Sequence, residues 1–133
     1  MKANRLTFDA GVLSLYYAGD KRIKPYFDSV SSKSKLGFVS EVNLAEFYYK
    51  AAERFGLETA EIRYMMTRAS QIILAPDEMI TRDAARFKLK YGHKLSLADC
   101  FAISTAINND CTLITTDSRI KQVKDVTTVY LSV

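Results

Sequence analysis

The chain has 133 residues, enough for one folded domain over residues 1–133 and too few for two separate hydrophobic cores. Hydrophobic residues make up 48% and charged residues 26% of the sequence, which excludes a disordered chain, and no apolar run approaches the roughly 18 residues of a membrane-spanning helix. The formal net charge of +4 is compatible with nucleic acid binding but does not by itself indicate it.

Predicted strands and helices alternate along the chain. In order they are a strand at 5–8, a helix at 11–18, a polar loop at 29–35, a strand at 36–39, helices at 41–55 and 58–69, a strand at 72–74, helices at 78–90 and 97–108, a strand at 112–115, a loop or short helix at 116–124 and a strand at 126–131. Ser40 and Ser96 are suited to cap helices, and Gly56 and Gly92 to end them. This alternation predicts an α/β fold with a parallel sheet and helices on both faces.

Two aspartates follow predicted strands. Asp9 comes directly after the first strand, and Asp117 lies two residues beyond the strand at 112–115. Because ligands in such folds bind beyond the carboxyl ends of the strands, we expect both side chains at one rim of the sheet. Each also has an ordinary structural interpretation, since Asp9 can cap the following helix and Asp117 can stabilise a turn.

Glu46 lies on the predicted helix at 41–55. The apolar residues that recur there at helical spacing, and are predicted to face the core, are Val42, Ala45, Tyr49 and Ala52. Glu46 shares this stripe, which is unusual for an acid. The alternatives are a carboxylate that reaches water from the edge of the stripe, or an ion pair with Lys50 four residues on.

Asp99 lies in the nearly apolar helix predicted at 97–108, with Ala102 and Ile103 on its own face. A short acid cannot extend to water, and an unpaired buried carboxylate costs several kcal/mol. The alternative is a first-turn aspartate favoured by the helix dipole, a gain of only about 0.3–1 kcal/mol. Because the gain is smaller than the cost, we interpret Asp99 as functional.

Together the four acids predict a metal site. Two carboxylates about 4 Å apart repel by roughly 4 kcal/mol at an effective dielectric constant of about 20, so a cluster of four needs a cation. Ligands that are all oxygen select Mg²⁺ or Mn²⁺, and Mg²⁺ often shares its shell with substrate phosphate. We expect Asp9, Asp99 and Asp117 to hold one or two cations and Glu46 to complete the shell or orient a water, for phosphoryl chemistry.

Four segments in this order resemble the PIN domain family and, within it, the VapC-type toxins of toxin–antitoxin pairs. They are residues 6–9 (LTFD), 39–47 (VSEVNLAEF), 91–103 (YGHKLSLADCFAI) and 113–117 (LITTD). The resemblance covers nearly the whole chain.

The resemblance implies a three-layer α/β/α sandwich with a mostly parallel sheet, and Mg²⁺- or Mn²⁺-dependent cleavage of RNA. It maps the family's acids onto Asp9, Glu46, Asp99 and Asp117, and a family hydroxyl onto Thr115. It also implies a homodimer neutralised by a small antitoxin, which often occludes the site with a basic side chain.

The chain departs from the family pattern in two places. Ala10 and Gly11 follow the first acid where the family often has a hydroxyl residue. Arg119 and Ile120 replace the more usual acidic and aromatic pair after the last acid. These changes leave the predicted metal ligands intact and affect the positions expected to place the substrate.

Basic residues around the predicted site are candidates for RNA phosphate contacts, although each is individually more typical of a solvated charge. They are Arg82, Arg86, Lys88, Lys90, Lys94, Arg119 and Lys121. His93, the single histidine, is interpreted as a surface residue. The cysteines, Cys100 and Cys111, have no metal-ligand spacing and are interpreted as small core residues in a reducing compartment, which predicts a cytoplasmic location.

Two other functions remain open from the sequence. One is a non-catalytic PIN-like module that binds RNA or protein. The other is a magnesium-dependent phosphotransfer domain, which Gly11 disfavours because a phosphatase of that type needs an aspartate at this position.

Overall fold

The computed structural model describes residues 4–133. Five strands form one parallel sheet in the order β3-β2-β1-β4-β5. The strands are β1 Arg5–Phe8, β2 Leu36–Ser40, β3 Ile72–Leu74, β4 Thr112–Thr115 and β5 Thr128–Tyr130. The helices are α1 Ala10–Tyr17, α2 Lys24–Ser31, α3 Glu41–Phe55, α4 Leu57–Ser70, α5 Glu78–Tyr91 and α6 Leu97–Asn108, with 3-10 helices at Gly92–Lys94 and Ser118–Gln122. The predicted α/β/α fold is confirmed.

Both faces of the sheet are buried under helices. Successive side chains of a strand point to opposite faces, so neighbouring residues belong to different clusters. Phe38 of β2 and Leu113 of β4 pack in one cluster, with residues of α5 and α6. Their neighbours Val39 and Ile114 pack in a second cluster, with residues of α1, α2 and α3. This two-sided burial explains the continuous apolar runs of the strands, which are typical of parallel sheets.

Helix α2 is the main element that the sequence did not predict, and its last turn occupies part of the loop predicted at 29–35. Apart from Pro25 in its first turn, its sequence carries few helix signals, since the N-cap Ile23 makes no side-chain capping bond and serines occupy the last turn. Packing compensates, since the Phe27 ring stacks on Phe8 with centroids 4.6 Å apart and on Tyr16 at 3.9 Å. Tertiary contacts therefore outweigh the weak local propensity.

The predicted buried face of α3 is wrong. Its buried residues are Asn43, Leu44, Phe47 and Ala51. Ala45 and Tyr49, assigned to the core from spacing alone, are exposed. The large Phe47 ring sets the orientation of the helix, so Glu46 borders the buried stripe instead of lying within it.

The remaining sequence interpretations concern the cysteines and the membrane. Cys100 and Cys111 are both buried and unpaired by disulfide, as predicted. Within residues 4–133 no helix combines the length and apolar character needed to cross a membrane.

Candidate active site

A cleft of about 220 Å³ lies at the carboxyl ends of β1 and β4, beside α3 and α6. All four predicted acids line it, although they come from four separate segments. The lining residues are Asp9, Gly11, Glu46, Lys50, Ser96, Asp99, Thr116, Asp117 and Arg119. The predicted convergence of the acids is therefore found in the structure.

Asp9 is 5% exposed, and both of its oxygens accept hydrogen bonds. Oδ1 accepts from the Val12 backbone N–H at 2.9 Å, so Asp9 does cap α1. Oδ2 accepts from the Thr115 hydroxyl at 2.5 Å. Burial raises the pKa of Asp9 to about 6, and the charge of Asp99 adds a smaller upward contribution. The ionised form is thus incompletely compensated by the protein, and a cation would stabilise it.

Thr115, at the end of β4, connects two of the acids. The parallel register pairs Phe8 with Ile114, which places Thr115 beside Asp9. Besides donating to Asp9, the Thr115 hydroxyl accepts from the backbone N–H of Asp117 at 3.0 Å. One buried side chain therefore fixes the spacing between the two strand-end acids.

Asp99 and Asp117 are neighbouring carboxyl groups. Asp99 Oδ2 accepts from the Ser96 backbone N–H at 3.0 Å, and the Ser96 hydroxyl accepts from the Asp99 N–H at 3.1 Å, which forms a capping box at the start of α6. Burial and then the charge of Asp117 raise the pKa of Asp99. The Arg119 guanidinium instead holds the pKa of Asp117 below its ordinary value.

Two cationic side chains lie among the acids. Arg119 donates to both Asp117 oxygens, at 3.0 Å from Nε and 2.7 Å from Nη2, and its Nη2 lies 3.7 Å from Asp99 Oδ2. Lys50 Nζ lies 3.4 Å from Glu46 Oε2, so the ion pair with Lys50 that the sequence analysis gave as an alternative for Glu46 is present. In this arrangement no three Asp, Glu, His or Cys side chains of residues 4–133 form a ready metal-binding group.

The donor set nevertheless fits a hard divalent cation. Every acid in the cleft offers carboxylate oxygen, and burial together with mutual repulsion raises the pKa of both Asp9 and Asp99. Three of the four acids are neutralised by side chains that are half exposed and can move, with Lys50 56% and Arg119 53% exposed.

Asn43 is a site-supporting residue that the sequence interpretation missed. It is buried on α3, one helical turn before Glu46, and its Nδ2 donates to the Ala98 carbonyl at 3.0 Å. Ala98 immediately precedes Asp99 in α6. The bond therefore ties the helix that carries Glu46 to the helix that carries Asp99.

Most of the predicted phosphate-binding residues lie outside the cleft lining. Arg82 pairs with Glu78, Lys90 stacks over Tyr91 and Lys121 over Tyr130. Lys88 donates to the carbonyls of Gly92 and Leu95, and so fastens the loop that leads into α6. Of the seven candidates only Arg119 lines the cleft.

Gly11 and Thr116 fit together in the floor of the cleft. A Cβ atom at position 11 would lie 2.1 Å from the Thr116 hydroxyl oxygen and 3.2 Å from its Cβ. The Thr116 side chain thus fills space that any residue larger than glycine would occupy. At Gly11, where the sequence departs from the family pattern, the Thr116 side chain occupies the space that a larger residue would need. The sequence alone does not reveal this contact.

Gly11→Ala is expected to destabilise the wild type by about 1 kcal/mol, because an overpacking cost of about 1–3 kcal/mol exceeds the helix-propensity gain of alanine. In a Thr116→Ala background the same change should stabilise the protein, since the colliding atoms are gone. Urea unfolding of the four proteins measures both effects. An effect of the same sign in both backgrounds would contradict the proposed fit.

Thr115→Val is expected to reduce the free energy of unfolding by about 1–3 kcal/mol, because Asp9 loses a donor and the Asp117 N–H loses an acceptor. The RNA cleavage that the family resemblance predicts should fall about tenfold, since the same hydroxyl fixes both acids. Thr115→Ser keeps the hydroxyl and is expected to retain most activity. Denaturant unfolding and cleavage rates test this, and a valine variant as stable as the wild type would refute it.

Comparisons with known proteins identify the family and the fold. A family model described as PIN domain matches residues 6–126. No curated protein matches the chain significantly by sequence.

Solved structures with the same fold cover almost all of the chain. The VapBC2 complex from Rickettsia felis, bound to a promoter DNA fragment, has a TM-score of 0.80 at 14% identity and covers 96% of this chain and 99% of its own. VapBC from Salmonella typhimurium, also bound to DNA, has a TM-score of 0.78 at 12% identity, with coverages of 95% and 97%. VapC20 from Mycobacterium tuberculosis, a Sarcin-Ricin loop cleaving toxin, has a TM-score of 0.73 at 14% identity, with coverages of 96% and 98%.

Proposed function

Because the chain belongs to the PIN domain family, we propose that it is a metal-dependent endoribonuclease that uses Mg²⁺ or Mn²⁺. The observation that carries this proposal is the cleft in which Asp9, Glu46, Asp99 and Asp117 converge at the carboxyl ends of the strands. The likeness of the fold to VapC20, a toxin that cleaves the Sarcin-Ricin loop, supports RNA as the substrate class.

In the proposed mechanism the protein's own contacts set the positions of the acids. Val12 and Thr115 hold Asp9 by one hydrogen bond to each oxygen, which fixes the plane of its carboxylate. Asp9, Asp99 and Asp117 would hold the cation, and Glu46 would complete its shell or orient a water. A bound divalent cation would supply an activated water and neutralise charge that develops on the phosphate.

The structure offers no obvious histidine base. His93 is exposed in the 3-10 helix before α6 and does not line the cleft. Among the cleft acids, Glu46 is the proposed proton acceptor, because it lines the cleft and its ion pair with Lys50 engages Oε2. Lys50 Nζ, 3.4 Å from Oε2, helps to orient the Glu46 carboxylate.

The proposed biological role is that of a cytoplasmic toxin, active as a homodimer and neutralised by a small antitoxin. Structures of VapBC complexes share the fold along almost the full chain. Helices α3 and α4 also expose a set of large apolar side chains, which is typical of a protein-binding surface. These are Tyr49, Phe55, Leu57, Ile62, Met65 and Met66.

The nuclease proposal is tested by incubating the purified protein with folded and single-stranded RNA in Mg²⁺, Mn²⁺ or EDTA. We expect metal-dependent cleavage that falls at least 100-fold in Asp99→Asn. Asp83→Asn is the matched control, because Asp83 is a half-buried acid on α5 that accepts a hydrogen bond from Asn108 outside the cleft. Equal behaviour of the wild type and Asp99→Asn on all RNAs would disprove catalysis.

A non-catalytic RNA- or protein-binding module is the second candidate. The observation that favours it is the pairing of three cleft acids with Arg119 and Lys50, which already neutralises part of their charge. Metal-independent RNA binding without cleavage would support this function.

A further inference from the structure

We propose, on the basis of the proposed nuclease function, that Arg119 exchanges partners within the site. Its guanidinium neutralises Asp99 and Asp117 while no divalent cation is bound. Once a cation takes these carboxylates, the released guanidinium binds a phosphate of the RNA. Arg119 then competes with the metal in the free protein and becomes a substrate-binding residue in the metal-loaded protein.

The contacts of Arg119 place it where a cation would bind. Nε and Nη2 engage both oxygens of Asp117 at 3.0 and 2.7 Å, and Nη2 approaches Asp99 at 3.7 Å. Both carboxylates therefore face one guanidinium group, whose Nη2 lies 2.7 Å from Asp117 Oδ2 and 3.7 Å from Asp99 Oδ2. The guanidinium therefore occupies the electrostatic position that a divalent cation would take.

The occupied oxygens of Asp117 favour such an exchange. Four carboxylates line the cleft, and two cationic side chains, Lys50 and Arg119, lie among them. A divalent cation that entered with Arg119 in place would have to share Asp117 oxygens that already accept three hydrogen bonds from Arg119. Displacement is feasible because the Arg119 side chain is 53% exposed and, within residues 4–133, its hydrogen bonds and ion pairs are all with these acids.

The released side chain is well suited to phosphate. Arginine presents parallel N–H groups that match two phosphate oxygens, and it remains charged at any working pH. Arg119 lines the cleft and its side chain is 53% exposed, so a short movement away from Asp117 leaves the guanidinium beside the acids and accessible to an RNA phosphate.

Arg22 provides a matched control within the same chain. Asp20 and Arg22 repeat the spacing of Asp117 and Arg119, with Arg22 Nε at 3.1 Å and Nη2 at 2.8 Å from the two Asp20 oxygens. The backbone N–H of Arg22 also bonds to Asp20, as that of Arg119 does to Asp117. Of these two pairs, the Arg119 pair adjoins Asp99 and the Arg22 pair does not. An effect of a metal ion bound in the cleft should therefore appear when Arg119 is replaced and not when Arg22 is replaced.

The first test is calorimetric titration of metal-free protein with Mg²⁺ and with Ca²⁺, without RNA. Arg119→Gln is expected to bind both cations about fivefold more tightly than the wild type, because the competing charge is lost. Arg119→Lys keeps the charge but not the bidentate contact, so its cation affinity should lie between those of the wild type and Arg119→Gln. Arg22→Gln should match the wild type.

The second test is RNA binding in Ca²⁺ and in EDTA, with RNA integrity checked in every sample. In Ca²⁺, Arg119→Gln should weaken binding about fivefold and reduce the slope of log affinity against log salt by about 0.7, the value of one phosphate contact on single-stranded RNA. In EDTA the loss should be less than about twofold, because the wild-type guanidinium is then held by the acids.

Equal cation affinity of Arg119→Gln and wild type, or an equal loss of RNA affinity in Ca²⁺ and EDTA, would overturn this inference. If the wild type nevertheless shows metal-dependent cleavage that Asp99→Asn lacks, the nuclease function stands and only the exchange is wrong. If the wild type binds no cation and cleaves no RNA, both proposals fail together.

Discussion

Asp9→Asn is expected to make the metal-free protein more stable at pH 7 while abolishing its RNA cleavage. Burial raises the pKa of Asp9 from 3.8 to about 6, a shift worth about 3 kcal/mol of lost stability in the ionised form. The asparagine removes this charge but loses the charge-assisted bond from Thr115, which costs about 1–2 kcal/mol. The net gain in unfolding free energy should therefore be about 1–2 kcal/mol, with cleavage reduced at least 100-fold.

Asp77→Asn is the control for this experiment. Asp77 caps α5 with the same geometry, since its Oδ1 accepts from the Ile80 N–H at 2.9 Å, but it is exposed and lies outside the cleft. Its replacement should change stability by less than about 0.5 kcal/mol and leave cleavage unchanged. A destabilised Asp9→Asn protein, or one that still cleaves RNA at the wild-type rate, would show that Asp9 is only a helix cap.

The metal-free wild type is expected to lose stability as the pH rises from about 4 to about 6. Because the folded-state pKa of Asp9 is raised, the folded protein holds this proton more tightly than the unfolded chain does. The stabilisation is complete below the unfolded pKa and is lost as the pH passes through the folded one. The loss should approach about 3 kcal/mol, and Asp99, whose pKa is also raised, adds to it in the same direction.

Urea unfolding in EDTA at several pH values between 4 and 7 measures this dependence. The lowered pKa of Asp117 acts in the opposite sense, because its stabilisation is lost as the pH falls below the ordinary aspartate pKa. The pH range in which Asp117 affects stability therefore lies below the range in which Asp9 does. Asp9→Asn should flatten the curve between pH 4 and 6, and Mg²⁺ should restore stability near pH 7. A wild-type curve that rises across this window would show that Asp9 is adequately compensated without a cation.

Much of the fold could be predicted because its strands and most helices carry strong local signals. The buried strands are short apolar runs, and Ser40, Ser96, Gly56 and Gly92 mark helix boundaries where the structure has them. Helix α2 could not be predicted, because its stability depends on Phe27 stacking against residues from β1 and α1. The buried face of α3 was misassigned for a related reason, since spacing alone does not weigh a phenylalanine above an alanine.

The acids of the site could be predicted, but the functional and structural interpretations of each turned out to be compatible. Asp9 caps a helix, Asp99 joins a capping box and Glu46 pairs with Lys50, yet all three line one cleft. A carboxylate has two oxygens with several lone pairs, so one local bond leaves room for a ligand. The position of Arg119 between two acids could not be predicted, because it depends on the approach of α6 to the end of β4.

The central position of β1 has a consequence for the synthesis of this protein. β1 is synthesised about a hundred residues before its partner β4, and Thr115 and Asp9 are 106 positions apart. Until that late segment arrives, β1 has an unpaired edge and Asp9 has no hydroxyl partner. Such long-range pairing forms late and slowly. The cleft on which the nuclease proposal depends is therefore incomplete in the nascent chain, and it forms only when β4 and the segment that carries Asp117 join the sheet.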